Sequence, residues 1–167
     1  MSQRIISMGT LALLGLALST SEAQKGTSAE ASFRVSPVGW IHHRDRGVTI
    51  EIDPRYADAL LGLEGFSHVW VIWWFDQNDS PAKRSVLRVH PRGNRKNPLT
   101  GVFATRSPAR PNLVGMTLCR IVSLEEHTLR VERIDAFDGT PVLDLKPYIP
   151  RSDSVPGAQV PSWVGDE

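Results

Sequence analysis

A chain of 167 residues that is 41% hydrophobic and 22% charged is sized for one globular domain with a sizeable core. Its single cysteine, Cys119, excludes an intramolecular disulfide, and no spacing of Cys and His suggests a zinc site. The formal net charge of +1 conceals a segregation: Ser80 to Leu124 holds nine Lys and Arg residues and no Asp or Glu, while Glu125 to Glu167 is rich in acids.

Met1–Ala23 opens with Arg4, runs through 14 largely apolar residues from Ile5 to Leu18, and ends on the small-x-small sequence Ser21-Glu22-Ala23. That is the pattern of a cleaved secretory signal peptide, and its apolar run is shorter than the roughly 20 residues that span a bilayer. It predicts a periplasmic or secreted mature chain; a leader that is not a working signal would leave the protein in the cytoplasm. Gln24–Ser32 is a polar linker, so the folded domain is expected over 33–167.

Strand signals follow at Phe33–Ile41 and Val48–Ile52. Pro54–Leu63 places Pro early, apolar residues near helical spacing and Gly65 beyond them, which predicts one short helix. Further strand signals lie at His68–Phe75, Ser85–His90, Val114–Ser123, Thr128–Ile134 and Pro141–Tyr148. Short strands at this density, without alternating long helices, predict a mainly β chain: a single closed or nearly closed antiparallel β-barrel with long loops. In VWVIWWF, period two puts Val69, Val71, Trp73 and Phe75 on one face and Trp70, Ile72 and Trp74 on the other. One face fills the barrel, and the other packs on the helix or on a second subunit. Cys119 sits in an apolar strand and reads as a small core residue rather than a nucleophile.

Two segments are too polar for core and too rigid for linker. In Gly101–Gly115, GVFATRSPARPNLVG, Arg106 and Arg110 offer planar donor forks while Pro108 and Pro111 restrict the backbone that carries them. The plainer alternative is a surface turn with two solvated arginines. Asp138–Pro150, DGTPVLDLKPYIP, is a turn followed by an alternating strand, on which Asp144 and Lys146 are spaced to pair. The cations of Ser80–Leu124 suit phosphate contacts, although HPRGNRKNP reads equally as a solvated loop without interleaved aromatics. No GxGxxG follows a strand, so a Rossmann-type nucleotide site is not supported.

These two runs, together with ADALLGLEGFSHVWVIWWF (Ala57–Phe75), His90-Pro91-Arg92 and DSVP (Asp153–Pro156), resemble the TsaA-like family of TrmO-type tRNA methyltransferases from Phe33 to the C-terminus. The resemblance implies a homodimeric β-barrel that binds S-adenosyl-L-methionine and methylates N6 of a threonylcarbamoyl-modified adenosine beside the tRNA anticodon. It implies a cofactor pocket lined by Asp76, Gln77, Arg106, Met116 and the turn Asp138, Gly139, Thr140 and Pro141, with Arg110, Asn112, His90 and Arg92 toward the tRNA substrate. No metal is implied. Departures from the family pattern are RPNLVGMT in place of RPNPIGLS, Asp76 where relatives often carry His, and a short Gly39–Ile52 segment.

Within that expectation Arg106 would pair with the methionine carboxylate, and Asp138 and Gln77 would accept hydrogen bonds from ribose hydroxyls or adenine N6. An Asp before Gly also commonly caps its own turn. The catalytic base is unassigned, with Asp138, Asp144, His90 and Tyr148 as candidates. A second function is compatible with the leader: an exported barrel that binds a small molecule or nucleoside and no longer methylates tRNA.

Overall fold

The computed structural model describes residues 32–45 and 47–165. The leader Met1–Ala23 and all but the last residue of the linker Gln24–Ser32 lie outside them. Eight strands form: β1 (Gly39–Arg44), β2 (Gly47–Ile52), β3 (His68–Trp74), β4 (Arg88–Val89), β5 (Thr100–Gly101), β6 (Val114–Glu125), β7 (Thr128–Val131) and β8 (Pro141–Pro147). Six of them close an antiparallel barrel in the order β1-β2-β7-β6-β3-β8, and β4 and β5 pair apart as a small hairpin.

Strict alternation explains which side chains fill the barrel. Ile41, Ile50, Val69, Val71, Leu129 and Val142 are fully buried, each flanked on its strand by more exposed neighbours. Burying each such aliphatic chain is worth roughly 1.5–3 kcal/mol, so this interior is the main source of stability. Cys119 belongs to the same cluster, and burial pushes its thiol up to about 11, which suits a core filler. On β3 the predicted faces hold: Val69, Val71 and Trp73 point inward, and Trp70, Ile72 and Trp74 stay half-exposed.

Closure depends on β6. Its first half pairs with β3 from Val114 to Arg120, its second half pairs with β7 from Ile121 to Glu125, and the register shifts between Ile121 and Ser123. An irregularity of this kind bends a strand so that it can serve two neighbours at a barrel corner. At the opposite seam β1 and β8 share only the pairs Gly39–Val142 and Trp40–Pro141. Two 3₁₀ turns, Pro54–Leu60 and Leu63–Gly65, pack Tyr56, Leu60 and Leu63 against the core there.

Several boundaries differ from the sequence expectation. The first strand begins at Gly39 rather than Phe33, because Pro37 has no N–H to give a ladder and residues 33–36 are exposed. The short helix expected over Pro54–Leu63 forms as a 3₁₀ helix that ends at Leu60, and a second 3₁₀ turn follows Gly62, which is left-handed at φ 88°. Asp53 starts the first turn by accepting from the Arg55 backbone N–H at 3.0 Å. So short a segment has little helix propensity to set against local capping. Ser85–His90 contributes only Arg88–Val89, since the two-residue β5 is the partner it has. Ahead of it a four-residue helix, α1 (Pro81–Arg84), is capped by Ser80, whose side chain accepts from the Lys83 N–H.

The outer tryptophans meet polar partners on or beside the two four-residue helices. Trp70 Nε1 donates to Asp153 at 3.3 Å, at the end of α2 (Pro150–Asp153), and Trp74 Nε1 donates to Asp79 at 3.2 Å. Beside them Val114, Met116, Leu118 and Val122 on the outer face of β6 remain between 37% and 49% exposed.

Candidate functional site

A cavity of about 600 Å³ opens at the end of the barrel where β3 stops, β6 starts and the chain enters β8. Its inner surface is aromatic. Trp73 and Phe75 pack edge to face at 4.4 Å between ring centroids, and Trp73 Nε1 donates to Thr117 Oγ1 at 3.2 Å. Gly115 pairs with Trp73 across the β3–β6 ladder, and a Cβ there would sit 2.6 Å from the indole. Only a residue without a side chain lets that ring lie flat against β6.

One wall is the proline-rich segment between Val102 and Leu113, which is wound on its own polar groups. Thr105 Oγ1 donates to Val102 O and accepts from Ser107 N–H, and Ser107 Oγ accepts from Ala109 N–H. Arg110 turns into the same loop, donating to Thr105 O at 3.3 Å and Ser107 O at 3.5 Å. Arg84 fixes the wall from outside: it clamps Asp79 through two nitrogens at 2.8 and 3.1 Å, donates to Pro111 O at 3.2 Å, and lies 5.2 Å over the Trp74 ring. The Arg84 hydrogen bonds hold Asp79 below the ordinary carboxylate range; partial desolvation opposes this and the Trp74 indole N–H adds to it.

The opposite wall is the stretch from Ile134 to Phe137 with Thr140, a polar residue only 1% exposed. Phe75, Asp76, Gln77 and Asn78 form the lip after β3.

Of the residues expected to hold a cofactor, Asp76, Gln77, Arg106, Met116 and Thr140 line this cavity, and Arg110 joins them. Asp138, Gly139 and Pro141 stand behind it. Asp138 Oδ1 accepts from the His43 backbone N–H at 2.7 Å, Gly139 takes φ 78° and donates to Ile41 O, and Pro141 pairs with Trp40. They shape the wall rather than line the cavity. Asn112, His90 and Arg92 are not among the lining residues; His90 Nδ1 binds Asn97 O at 2.8 Å within the β4–β5 connection.

None of the four candidate bases lines the cavity. Asp144 pairs with Lys146 at 2.8 Å, as their spacing predicts, and Tyr148 packs beside His68 and Trp70. Two cavity residues that the motifs do not single out carry chemistry. Asp135 adds a second exposed carboxylate to that of Asp76, and Phe137 adds a ring that is 65% exposed. The signal for both is proximity to the Asp138 turn, which faces backward while its predecessors face the cavity. Arg106, in contrast to Arg110, makes no hydrogen bond or ion pair among the described residues.

Comparison with known proteins gives this cavity a lineage. The tRNA-methyltransferase O N-terminal domain family matches residues 33–154. The chain belongs to this family. All eight strands and both cavity walls fall inside the match. A probable S-adenosyl-L-methionine-binding protein of Pyrococcus horikoshii is 43% identical over 122 residues, covering 73% of this chain and 87% of the relative. The tRNA (adenine(37)-N6)-methyltransferase of Mus musculus is 45% identical over 96 residues, covering 58% of this chain and 22% of that protein. The crystal structure of TrmO from Pseudomonas aeruginosa superposes with a TM-score of 0.60 at 33% identity, over 77% of this chain and 62% of that one. The chain therefore spans about three-fifths of that solved structure.

Gly115→Ala is expected to destabilise the domain by about 1–3 kcal/mol, because the new methyl must displace a buried indole. Gly101→Ala, where a Cβ would meet nothing within 4 Å, is the control and should unfold at nearly the wild-type denaturant midpoint. Equal midpoints for the two variants would show that Trp73 does not depend on the bare β6 backbone.

Proposed function

We propose that this protein is an S-adenosyl-L-methionine-dependent methyltransferase whose acceptor is N6 of an adenosine in tRNA, the threonylcarbamoyl-modified base beside the anticodon. The observation that carries the reading is the set of ionic groups in the cavity: an unengaged guanidinium, Arg106, with two exposed carboxylates, Asp76 and Asp135, around an aromatic interior of about 600 Å³. That donor set fits the cofactor's chemistry, since a carboxylate needs a cation, an ammonium and a sulfonium tolerate carboxylates, and a nucleoside needs apolar surface with a few amides.

When bound, the cofactor supplies an electrophilic methyl group, so the protein's work is alignment and proton removal. Arg106 is assigned to the carboxylate end, and Gln77 to hydrogen bonding with the nucleoside. Met116, Trp73 and Phe75 exclude water from the apolar part. Arg110, engaged with its own loop, holds Arg106 in place instead of binding directly. The proton leaving the acceptor nitrogen has Asp76 and Asp135 within the cavity to receive it. For the tRNA backbone, Arg88 on β4 and Arg95 and Lys96 in the β4–β5 connection are exposed cations. Titration calorimetry is expected to detect cofactor binding by the domain from Phe33 onward, weakened about tenfold or more by Arg106→Ala with the melting temperature retained. An absence of heat with wild-type protein would remove the reading.

We infer in addition that two copies associate. The cross-strand pairs Trp70–Leu118, Ile72–Met116 and Trp74–Val114 give β3 and β6 an apolar outer face, and the cavity reaches Ile72, Val114 and Met116 on it. Burying such a face suits a twofold interface. Sedimentation equilibrium should return twice the chain mass, with Leu118→Lys returning one; a monomeric wild type contradicts it.

The leader supports a second reading, in which the barrel is exported and binds a small molecule or nucleoside. Export predicts an N-terminus at Gln24 in an extracytoplasmic fraction by mass spectrometry. An intact N-terminus in the cytoplasm returns the protein to the compartment that holds tRNA.

A further inference from the structure

The cavity wall from Ile134 to Phe137 ends on a backbone hydrogen bond, Thr140 N–H to Phe137 O at 3.3 Å, and before it, from Ile134 to Ala136, polar support is sparse. Among the described residues the one hydrogen bond of that stretch is to Ala136 O, from His43 Nε2 on β1 at 2.8 Å. The same residue's backbone N–H reaches Asp138 Oδ1 at 2.7 Å, so His43 grips the wall on both sides of Phe137. Neighbouring His42 lies 3.8 Å from that Asp138 oxygen through Nδ1 and 3.6 Å from Glu51 through Nε2. Below the grip, Gly139 N–H donates to Ile41 O and Ile41 N–H donates to Thr140 O. The turn is therefore continuous with β1, while the segment carrying Asp135 and Phe137 is anchored by Ile134 in the core and by Thr140 N–H on Phe137 O at 3.3 Å, and has the His43 imidazole as its one side-chain hydrogen bond among the described residues.

We propose that His43 is a positioning residue: by holding Ala136 O it sets the Asp135–Phe137 wall at the cavity and so determines how tightly the cavity takes its cofactor. A carbonyl acceptor requires hydrogen on Nε2, which both the neutral Nε2–H tautomer and the imidazolium provide. Glutamine, whose amide N–H can reach similarly, conserves the bond; alanine deletes it. The proposal rests on the methyltransferase reading for its ligand but not for its mechanics.

Two measurements on the whole protein separate those parts. Backbone relaxation by NMR is expected to give order parameters for Asp135, Ala136 and Phe137 typical of a rigid chain in wild type, falling toward the flexible range below about 0.6 in His43→Ala and recovering in His43→Gln. Calorimetric titration with S-adenosyl-L-methionine is expected to show Kd raised about three- to tenfold in His43→Ala, the effect of one hydrogen bond, with recovery in His43→Gln. In turnover the loss should appear in KM for the cofactor and not in kcat at saturation. Unchanged order parameters overturn the tether. Loosened order with unchanged Kd overturns the positioning role. A wild-type protein that binds no cofactor overturns the methyltransferase reading, and the relaxation comparison still decides whether His43 holds the wall.

Discussion

A six-stranded barrel closes only if its strands tilt and stagger, and here the long, bent β6 carries much of that stagger. Twelve residues long, it pairs with β3 at one end and β7 at the other, turning where the register shifts between Ile121 and Ser123. Its first residues therefore run beside the last residues of β3, and the strand end that begins at Val114 becomes part of the cavity mouth. The Trp73 indole can roof the core at this point because the β6 residue facing it is Gly115. A side chain there would push the ring outward, and the mouth would fill with the tryptophan that now lines it.

The two walls are built from the same economy of polar groups but differ in how firmly they are held. The Val102–Leu113 wall is fastened from within by Thr105, Ser107 and Arg110 and from outside by Arg84. Prolines at 108 and 111 further reduce the conformations it would lose on ordering. The Asp135–Phe137 wall has no proline and one side-chain tether. A ligand that contacts both walls thus meets one surface already in place and another whose order depends on β1. Rigidity on one side lowers the ordering cost of binding, and compliance on the other permits entry.

Much of the barrel is legible in the sequence because alternation is a strong signal wherever one face is buried. Period alone puts Val69, Val71 and Trp73 on one face, and the structure buries that face. The segments that depart from expectation are those whose state depends on a partner. Phe33–Ser36 has strand-like residues and no strand to meet, and Ser85–Leu87 has the same difficulty beside a two-residue β5. Pro54–Leu63 has helical spacing, yet Gly62 divides it and Leu60 is drawn into the core. At the site, Asp76, Gln77, Arg106, Met116 and Thr140 line the cavity as expected, while Asp138, Gly139 and Pro141 stand behind it. The resemblance points to Asp138 as a cofactor residue, and its position before glycine suits a turn cap; in the fold its carboxylate meets His43, 95 residues away, a pairing no local pattern signals.

That distance bears on how a family motif should be understood in this chain. A carboxylate that accepts a backbone N–H from β1 is partly satisfied, and moving it into the cavity would release the N–H it holds. Asp135 and Asp76 carry no such obligation, so a cationic ligand can approach them without first breaking the fold's own bonds. Arg106 and Arg110 divide in the same manner, one committed to carbonyls of its loop and one uncommitted. The Gly101–Gly115 motif thus holds both a committed and an uncommitted group, and the committed Asp138 has its uncommitted counterpart, Asp135, just ahead of its own motif. A committed group such as Arg110 or Asp138 then serves the geometry of the wall rather than contact with the ligand, and its substitution acts on the cavity through an uncommitted neighbour.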